Sequence, residues 1–335
     1  MPKNVKIIAI AVVGIIASIT AGNFRSKDLA HAADKPKVVA SHNIICNLVE
    51  TIARDTVDLT CLMKPNQDPH TYRPTPSQRK AIEEAQLIIY GGYQLEPKIT
   101  KLLEATNPET PKVALYEQVV TEPITIEHQH DEESEHEHEH ESESPTTKSK
   151  PELAPDPHVW HNVENTVAMV ELLESMFLQA NPSEAELYLT NSNALTEQLW
   201  QLDAWIKDRV ATIPEGQRVL VTTHDSLNYY TQAYSLNDYK TLQGLSVAAS
   251  PTASQVRDLV TEIEQTGVPT IFAESTASDR VINNVARAAD VELSPEKLYV
   301  DGLGETANYI EMMSHNTCAI VNGLGGECSP FAATE

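Results

Sequence analysis

Alternating short strands and helices predict an α/β chain: two Rossmann-like lobes with mainly parallel sheets, joined by one long helix. Three features carry that expectation. Short, continuous apolar runs recur between helical stretches, as in a parallel sheet covered on both faces. A helical apolar stripe then persists over residues 183–210, longer than any neighbouring element. After it, the strand–helix alternation begins again.

Residues 1–32 read as an export signal. Lys3 and Lys6 open it, residues 7–21 are almost wholly apolar, and Ala30-His31-Ala32 is a small-x-small cleavage site. The apolar run falls short of the about 20 residues a spanning helix needs. No cysteine follows it that could take a lipid anchor. The N-terminal lobe is expected at 36–180. Strands at 37–40, 57–63, 87–90 and 112–115 alternate with helices at 43–53, 76–85 and 97–105. Residues 127–157 break the pattern. Residues 127–143 hold five histidines (His128, His130, His136, His138 and His140) and nine acidic residues, without Lys or Arg. Pro145, Pro151, Pro155 and Pro157 follow. Composition predicts a disordered loop.

A helix at 162–179 restores order. Pro182 then sits at the tolerated first turn of the connecting helix, 183–210. Leu195, Leu199, Leu202, Ile206 and Val210 share one face of that helix, which would be about 40 Å long. The C-terminal lobe is expected at 215–335. Its strands fall at 218–222, 239–247, 270–273 and 298–300, and its helices at 226–233, 254–265, 279–289 and 305–321.

The chain has 335 residues, more than one core usually serves, and a net charge of −24. Such acidity argues against nucleic acid and anionic lipid as partners and suits cations. Export implies an oxidising compartment for the four cysteines. Cys318 and Cys328 flank a glycine-rich stretch that can turn tightly, and a bridge between them is expected. Cys46 falls in a helix and Cys61 in a strand. They either pair or remain buried thiols.

Four positions carry chemistry, and three follow strands, where open α/β sheets gather ligands. His70 lies in Asp68-Pro69-His70-Thr71-Tyr72. His158 lies in Asp156-Pro157-His158-Val159-Trp160-His161, just before a helix. His224 follows Val221-Thr222-Thr223, and Asp301 precedes Gly302. Singly, each reads as readily as a cap, a core histidine or a turn. Together, three imidazoles and a carboxylate suit tetrahedral Zn²⁺, and nitrogen donors favour it over Mn²⁺.

The motifs make the set specific. D-P-H-x-Y-x-P-T-P-S at 68–77 and D-P-H-x-W-x-N at 156–162, with segments 251–264 and 272–275, resemble the zinc/manganese solute-binding proteins of ABC transporters. That is the cluster A-I group of ZnuA-like receptors, and the resemblance spans about residues 36–328. It implies two α/β lobes, a rigid connecting helix and a metal held between the lobes by His70, His158, His224 and Asp301. In that family manganese receptors tend to carry Glu at the third position and zinc receptors His. This chain has His224, although some members with His there bind both ions. A His-rich insertion before the second motif is typical of the zinc branch.

Around the four, Asp68 and Asp225 could orient neighbouring imidazoles. Glu274 is a candidate to support a ligand from behind or to sit at the hinge, and is the alternate carboxylate. His161 could also support the site from behind, although it and His42 read more readily as helix-start residues. The loop histidines could hold weak, exchangeable cations or belong to a solvated linker. Three rival readings exist. His136–His140 matches H-E-x-x-H of zinc hydrolases, but that motif requires a helix and an open metal position. Gly302-x-Gly304-x-x-Ala307 resembles a nucleotide loop but lacks the later acidic residue. An adhesin or metal buffer could share the fold and site. The expected function is therefore not enzymatic. It is a monomeric periplasmic receptor that passes Zn²⁺, or alternatively Mn²⁺, to an ABC permease and its ATPase.

Overall fold

The computed structural model describes residues 35–128, 152–246 and 250–333. The expected export signal and the histidines at 130, 136, 138 and 140 lie outside them. The first half opens with β1 (Lys37–Ala40), α1 (Asn43–Ala53), β2 (Asp58–Cys61), α2 (Pro76–Glu84), β3 (Leu87–Tyr90), α3 (Pro97–Glu104), β4 (Lys112–Ala114) and α4 (Leu115–Val119). Its four strands pair in parallel in the order β2-β1-β3-β4. The central strands β1 and β3 are apolar and mostly buried because helices cover both faces. α2 begins at a capping box in which Thr75 and Gln78 satisfy each other's backbone N–H groups, with Pro76 in the first turn.

The segment expected to be wholly disordered is not. Its ends form antiparallel strands, β5 (Thr125–His128) and β6 (Glu152–Pro155), with His128 opposite Glu152. Thr125 and Ile126 favour strand, and their ladder partners bring the two ends together. Next come α5 (Val163–Ala180), a 3₁₀ turn at Pro182–Glu184 and the 26-residue α6 (Ala185–Val210). α6 buries Tyr188, Leu195, Leu199, Leu202, Ile206 and Val210 at three- and four-residue spacing. It packs on α1 and α5 from the first half.

The second half contains β7 (Val219–His224), α7 (Asn228–Ala233), β8 (Asp238–Gln243), α8 (Ala253–Thr266), β9 (Thr270–Ile271), α9 (Asp279–Ala288), β10 (Glu292–Leu293) and α10 (Tyr309–Gly323). α6 also packs on α10 and so touches both halves. β7 pairs with β8 and β9 with β10, all parallel. Phe272 N–H donates to the Val221 carbonyl at 2.9 Å and joins the two ladders. Both halves therefore run second-first-third-fourth, a repeat with no residue-level signature.

Two expectations need correction here. The strand expected at 298–300 is a single bridge between Leu298 and Glu274, because the chain leaves the sheet to shape the Asp301 loop. The last strand is instead β10. α10 starts at Tyr309 rather than 305, where the Asn308 side chain caps the Glu311 N–H.

The largest apolar cluster spans both halves, from Ile44, Leu48, Trp160 and Leu199 to Leu220, Phe272, Leu298 and Met312. Both cysteine pairs are bridged. Cys46–Cys61 ties α1 to β2, which closes the alternative left open by sequence. Cys318–Cys328 joins α10 to the C-terminal segment, as expected.

Candidate metal centre

Each donor is aimed by its own local device. After β2, the Asp68 carboxylate accepts from the His70 N–H and the Thr71 hydroxyl, both at 2.8 Å. That turn projects His70 inward, with 9% of its side chain exposed. In the second Asp-Pro-His turn, Asp156 Oδ1 accepts from the His158 backbone N–H at 2.9 Å and also from its ring Nδ1 at 2.8 Å. Asn228 donates to the other Asp156 oxygen at 3.0 Å. His224 ends β7. Glu274 accepts from its ring Nδ1 at 2.5 Å and, through the second oxygen, from the Thr223 and His224 amides at 2.9 Å. Carboxylate partners on Nδ1 put the proton there and turn the Nε2 lone pairs of His158 and His224 inward.

Asp301 sits on the loop after Leu298. Gly302 and Gly304 make its turn, with φ of 147° and 63°. A Cβ at Gly302 would lie 2.5 Å from Asn43 Oδ1, and one at Gly304 would lie 2.1 Å from the Tyr299 ring. Neither position has room for another residue. The Thr276 hydroxyl donates to Asp301 Oδ2, which leaves Oδ1 facing the histidines.

The four donors converge. Asp301 Oδ1 lies 3.6, 3.5 and 3.4 Å from Nε2 of His70, His158 and His224. His70 and His158 Nε2 are 3.2 Å apart. All four donor atoms fall within 4.8 Å of one another. A tetrahedral ion with bonds of about 2.0–2.2 Å sets its ligands about 3.3–3.6 Å apart, so the residues fit such an ion. His224 Nε2 and Asp301 Oδ1 are buried with no hydrogen-bond partner, an arrangement that costs stability unless a cation takes them.

Charge follows the same geometry. Burial opposes a positive His224, but Glu274 and Asp301 outweigh it and raise the ring well above the usual histidine value. Burial likewise opposes a charged Asp301, yet His224, His158 and His70 hold it well below the usual carboxylate range. His158 is raised because Asp156 and Asp301 overcome its burial, whereas burial wins at His70 and lowers it.

The surrounding residues divide differently from expectation. Glu274 does hold an imidazole. Asp68 holds main chain and a hydroxyl rather than a ring. Asp225 accepts from Asn228 at 2.7 Å, not from a histidine. His161 does not cap α5, because its Nε2 donates to the Val300 carbonyl at 2.8 Å. His42 stands at the start of α1 without capping it. Asp156 and Thr276 received no role from sequence. Asp156 was findable, since it occupies the same Asp-Pro-His position as Asp68. His128 lies on β5, outside this cluster.

Two α/β halves closing four inward-facing donors define a protein that can hold a metal ion between them. Residues 38–323 match the family described as zinc-uptake complex component A, periplasmic, and the chain belongs to that family. It is a solute-binding receptor for metal uptake, not an enzyme. The zinc-binding protein TroA of Treponema pallidum is 30% identical over 311 residues, 90% of this chain and 92% of that protein. The manganese-binding lipoprotein MntA of Halalkalibacterium halodurans is 28% identical over 320 residues, 93% of this chain and 97% of that one. The solved structure of the periplasmic zinc-binding TroA superposes with a TM-score of 0.75 at 28% identity. It covers 87% of this chain and 99% of its own.

Proposed function

We propose that the exported chain captures Zn²⁺ outside the plasma membrane and delivers it, as a monomer, to an ABC permease driven by its ATPase. His70 and His158 hold the ion from the first half, and His224 and Asp301 close it from the second. The observation that carries this reading is the convergence of three Nε2 atoms on one Oδ1, at 3.6, 3.5 and 3.4 Å from it, with two of the four donors otherwise unpartnered. Zinc is favoured because three imidazoles and one carboxylate oxygen make a closed four-donor shell. Thr276 engages the second Asp301 oxygen, which disfavours the bidentate carboxylate and higher coordination that suit manganese. A manganese or mixed receptor is the second reading. It is favoured by relatives named for manganese at similar identity.

Release proceeds by movement of the Asp301 loop rather than by wide opening. An apolar cluster shared between the halves and a helix packed on both resist rigid-body separation. The histidines at 128, 130, 136, 138 and 140 act as an accessory, weakly binding store.

The test is metal content and competitive affinity of the mature protein, intact and with residues 129–151 replaced by Asn-Gly. Because His128 and Glu152 are antiparallel partners, a two-residue turn can close that hairpin. One tight zinc per chain in both proteins is expected. Loss of tight binding with the segment would overturn the four-residue site and favour a His-rich buffer. His224→Glu should shift preference toward manganese, and unchanged relative affinities would remove that residue from selectivity.

A further inference from the structure

Buried histidines around the centre do two different jobs, and their hydrogen bonds separate them. His158 and His224 give their Nδ1 protons to carboxylates and turn bare Nε2 atoms inward. His42 and His161 are arranged the other way. His42 Nε2 donates to the Asp301 carbonyl at 2.9 Å, and its Nδ1 accepts from the Tyr116 hydroxyl at 2.7 Å. His161 Nε2 donates to the Val300 carbonyl. A carbonyl is only an acceptor, so both rings must carry the proton on Nε2.

These donors come from the first half, whereas Val300 and Asp301 belong to the second. A third bond joins them: Leu303 N–H donates to Asn43 Oδ1 at 2.9 Å, at the point where Gly302 leaves room for the amide. Three main-chain groups within residues 300–303 of the Asp301 loop are thus gripped by the opposite half. The grip is rigidly backed. His42 packs against Trp160 with ring centroids 4.8 Å apart, and Trp160 packs against Tyr116 at 5.3 Å and His161 at 5.4 Å. His42, Tyr116, Trp160 and His161 are fully buried.

We propose that His42, Asn43 and His161 form a clasp that holds the Asp301 loop in its cation-binding position and sets the rate at which the cation leaves. The proposal rests on the four-residue site proposed above. Asp301 supplies the only carboxylate among the four donors. When the clasp parts, the loop withdraws that ligand while the three imidazoles stay. His42 and His161 are positioning residues: they never touch the cation and act through Asp301.

The measurement is zinc dissociation into excess chelator by stopped flow, beside zinc stoichiometry and association rate. The full mature chain would carry His42→Phe, His161→Phe or His42→Gln. Phenylalanine keeps ring bulk and removes the donor. Each Phe variant should still bind one tight zinc per chain and associate at the parent's rate. Each should release roughly five- to a hundredfold faster, the range expected when a buried carbonyl loses its donor. Glutamine carries an amide N–H near the position of Nε2, so His42→Gln should return release toward the parent rate. That rescue is not expected of a merely space-filling ring. Release within twofold of the parent in both Phe variants, while His158→Ala loses tight zinc, would overturn the clasp alone. Tight zinc retained by both His158→Ala and Asp301→Ala would instead overturn the underlying site. Should His42→Phe fail to fold, His161→Phe, on a different element, decides the question.

Discussion

The two Asp-Pro-His turns share three letters and differ in what the aspartate holds. Asp68 spends both oxygens on a backbone amide and a hydroxyl and none on the His70 ring. Asp156 is fully buried, holds both the amide and the ring of His158, and is itself held across the halves by Asn228. One tripeptide therefore yields a loosely held donor and a preorganised one. The difference is set by burial and by what lies opposite, not by the motif. It also drives the two rings apart in proton affinity, His70 downward by burial and His158 upward by Asp156.

Replacing the rings gives the largest contrast. His158→Ala should weaken zinc by more than about a hundredfold, beyond the usual effect of an orienting residue. His70→Ala should act in the same direction and less severely, since its ring is less preorganised. Calorimetric titration of both variants checks this, and equal losses would erase the distinction between the turns. Replacing the carboxylates sharpens it. Asp156→Asn should cost about 10–100-fold in zinc affinity. Asp68→Asn should cost about fivefold or less, the scale of one ordinary hydrogen bond.

A third test uses acidity. Asp156 raises the proton affinity of His158, and a proton on that ring must leave before a cation can bind. The advantage of the parent over Asp156→Asn should therefore shrink as pH falls from about 7.5 to about 5.5. The ratio for Asp68→Asn should stay flat. Competition titrations across that range read both.

A fourth test concerns His161, which follows the second turn and has no counterpart after the first. Burial lowers it from 6.5 to about 3, and lowers His42 to about 4. Unfolded, both rings take protons near pH 6.5, so the unfolded chain binds more protons below that value. Metal-free stability should then fall as pH drops from about 6.5 toward 4 and 3, by up to about 1.4 kcal/mol per pH unit per ring. Denaturant unfolding of the His161→Phe chain should show a shallower acid loss than the parent.

Much of this was legible before any coordinates. Continuous apolar runs marked β1 and β3, and spacing on α6 marked its buried face, because those signals are local. His70, His224 and Asp301 drew attention because strand ends are where ligands gather, and His158 because it repeats the Asp-Pro-His tripeptide of His70. The missed ring partners share one cause. Those of His42 and His161 lie 259 and 139 residues away. No spacing rule reaches so far. The hairpin of β5 and β6 was hidden by charge-rich composition, which describes the middle of that segment and says little about its ends. Leu298 was taken for a strand because its neighbours are apolar. They are apolar because the Asp301 loop threads the shared core.

The pairing of His128 with Glu152 has a further consequence. It makes the acidic, His-rich span a guest that enters and leaves the receptor at one doorway. Doubling the number of residues between two paired ends adds only about 0.6 kcal/mol of closure cost. The number of residues and of histidines between those two partners can therefore be changed almost freely while the centre keeps its own geometry, so the proposed store and the binding strength of the centre would be separately adjustable in one chain.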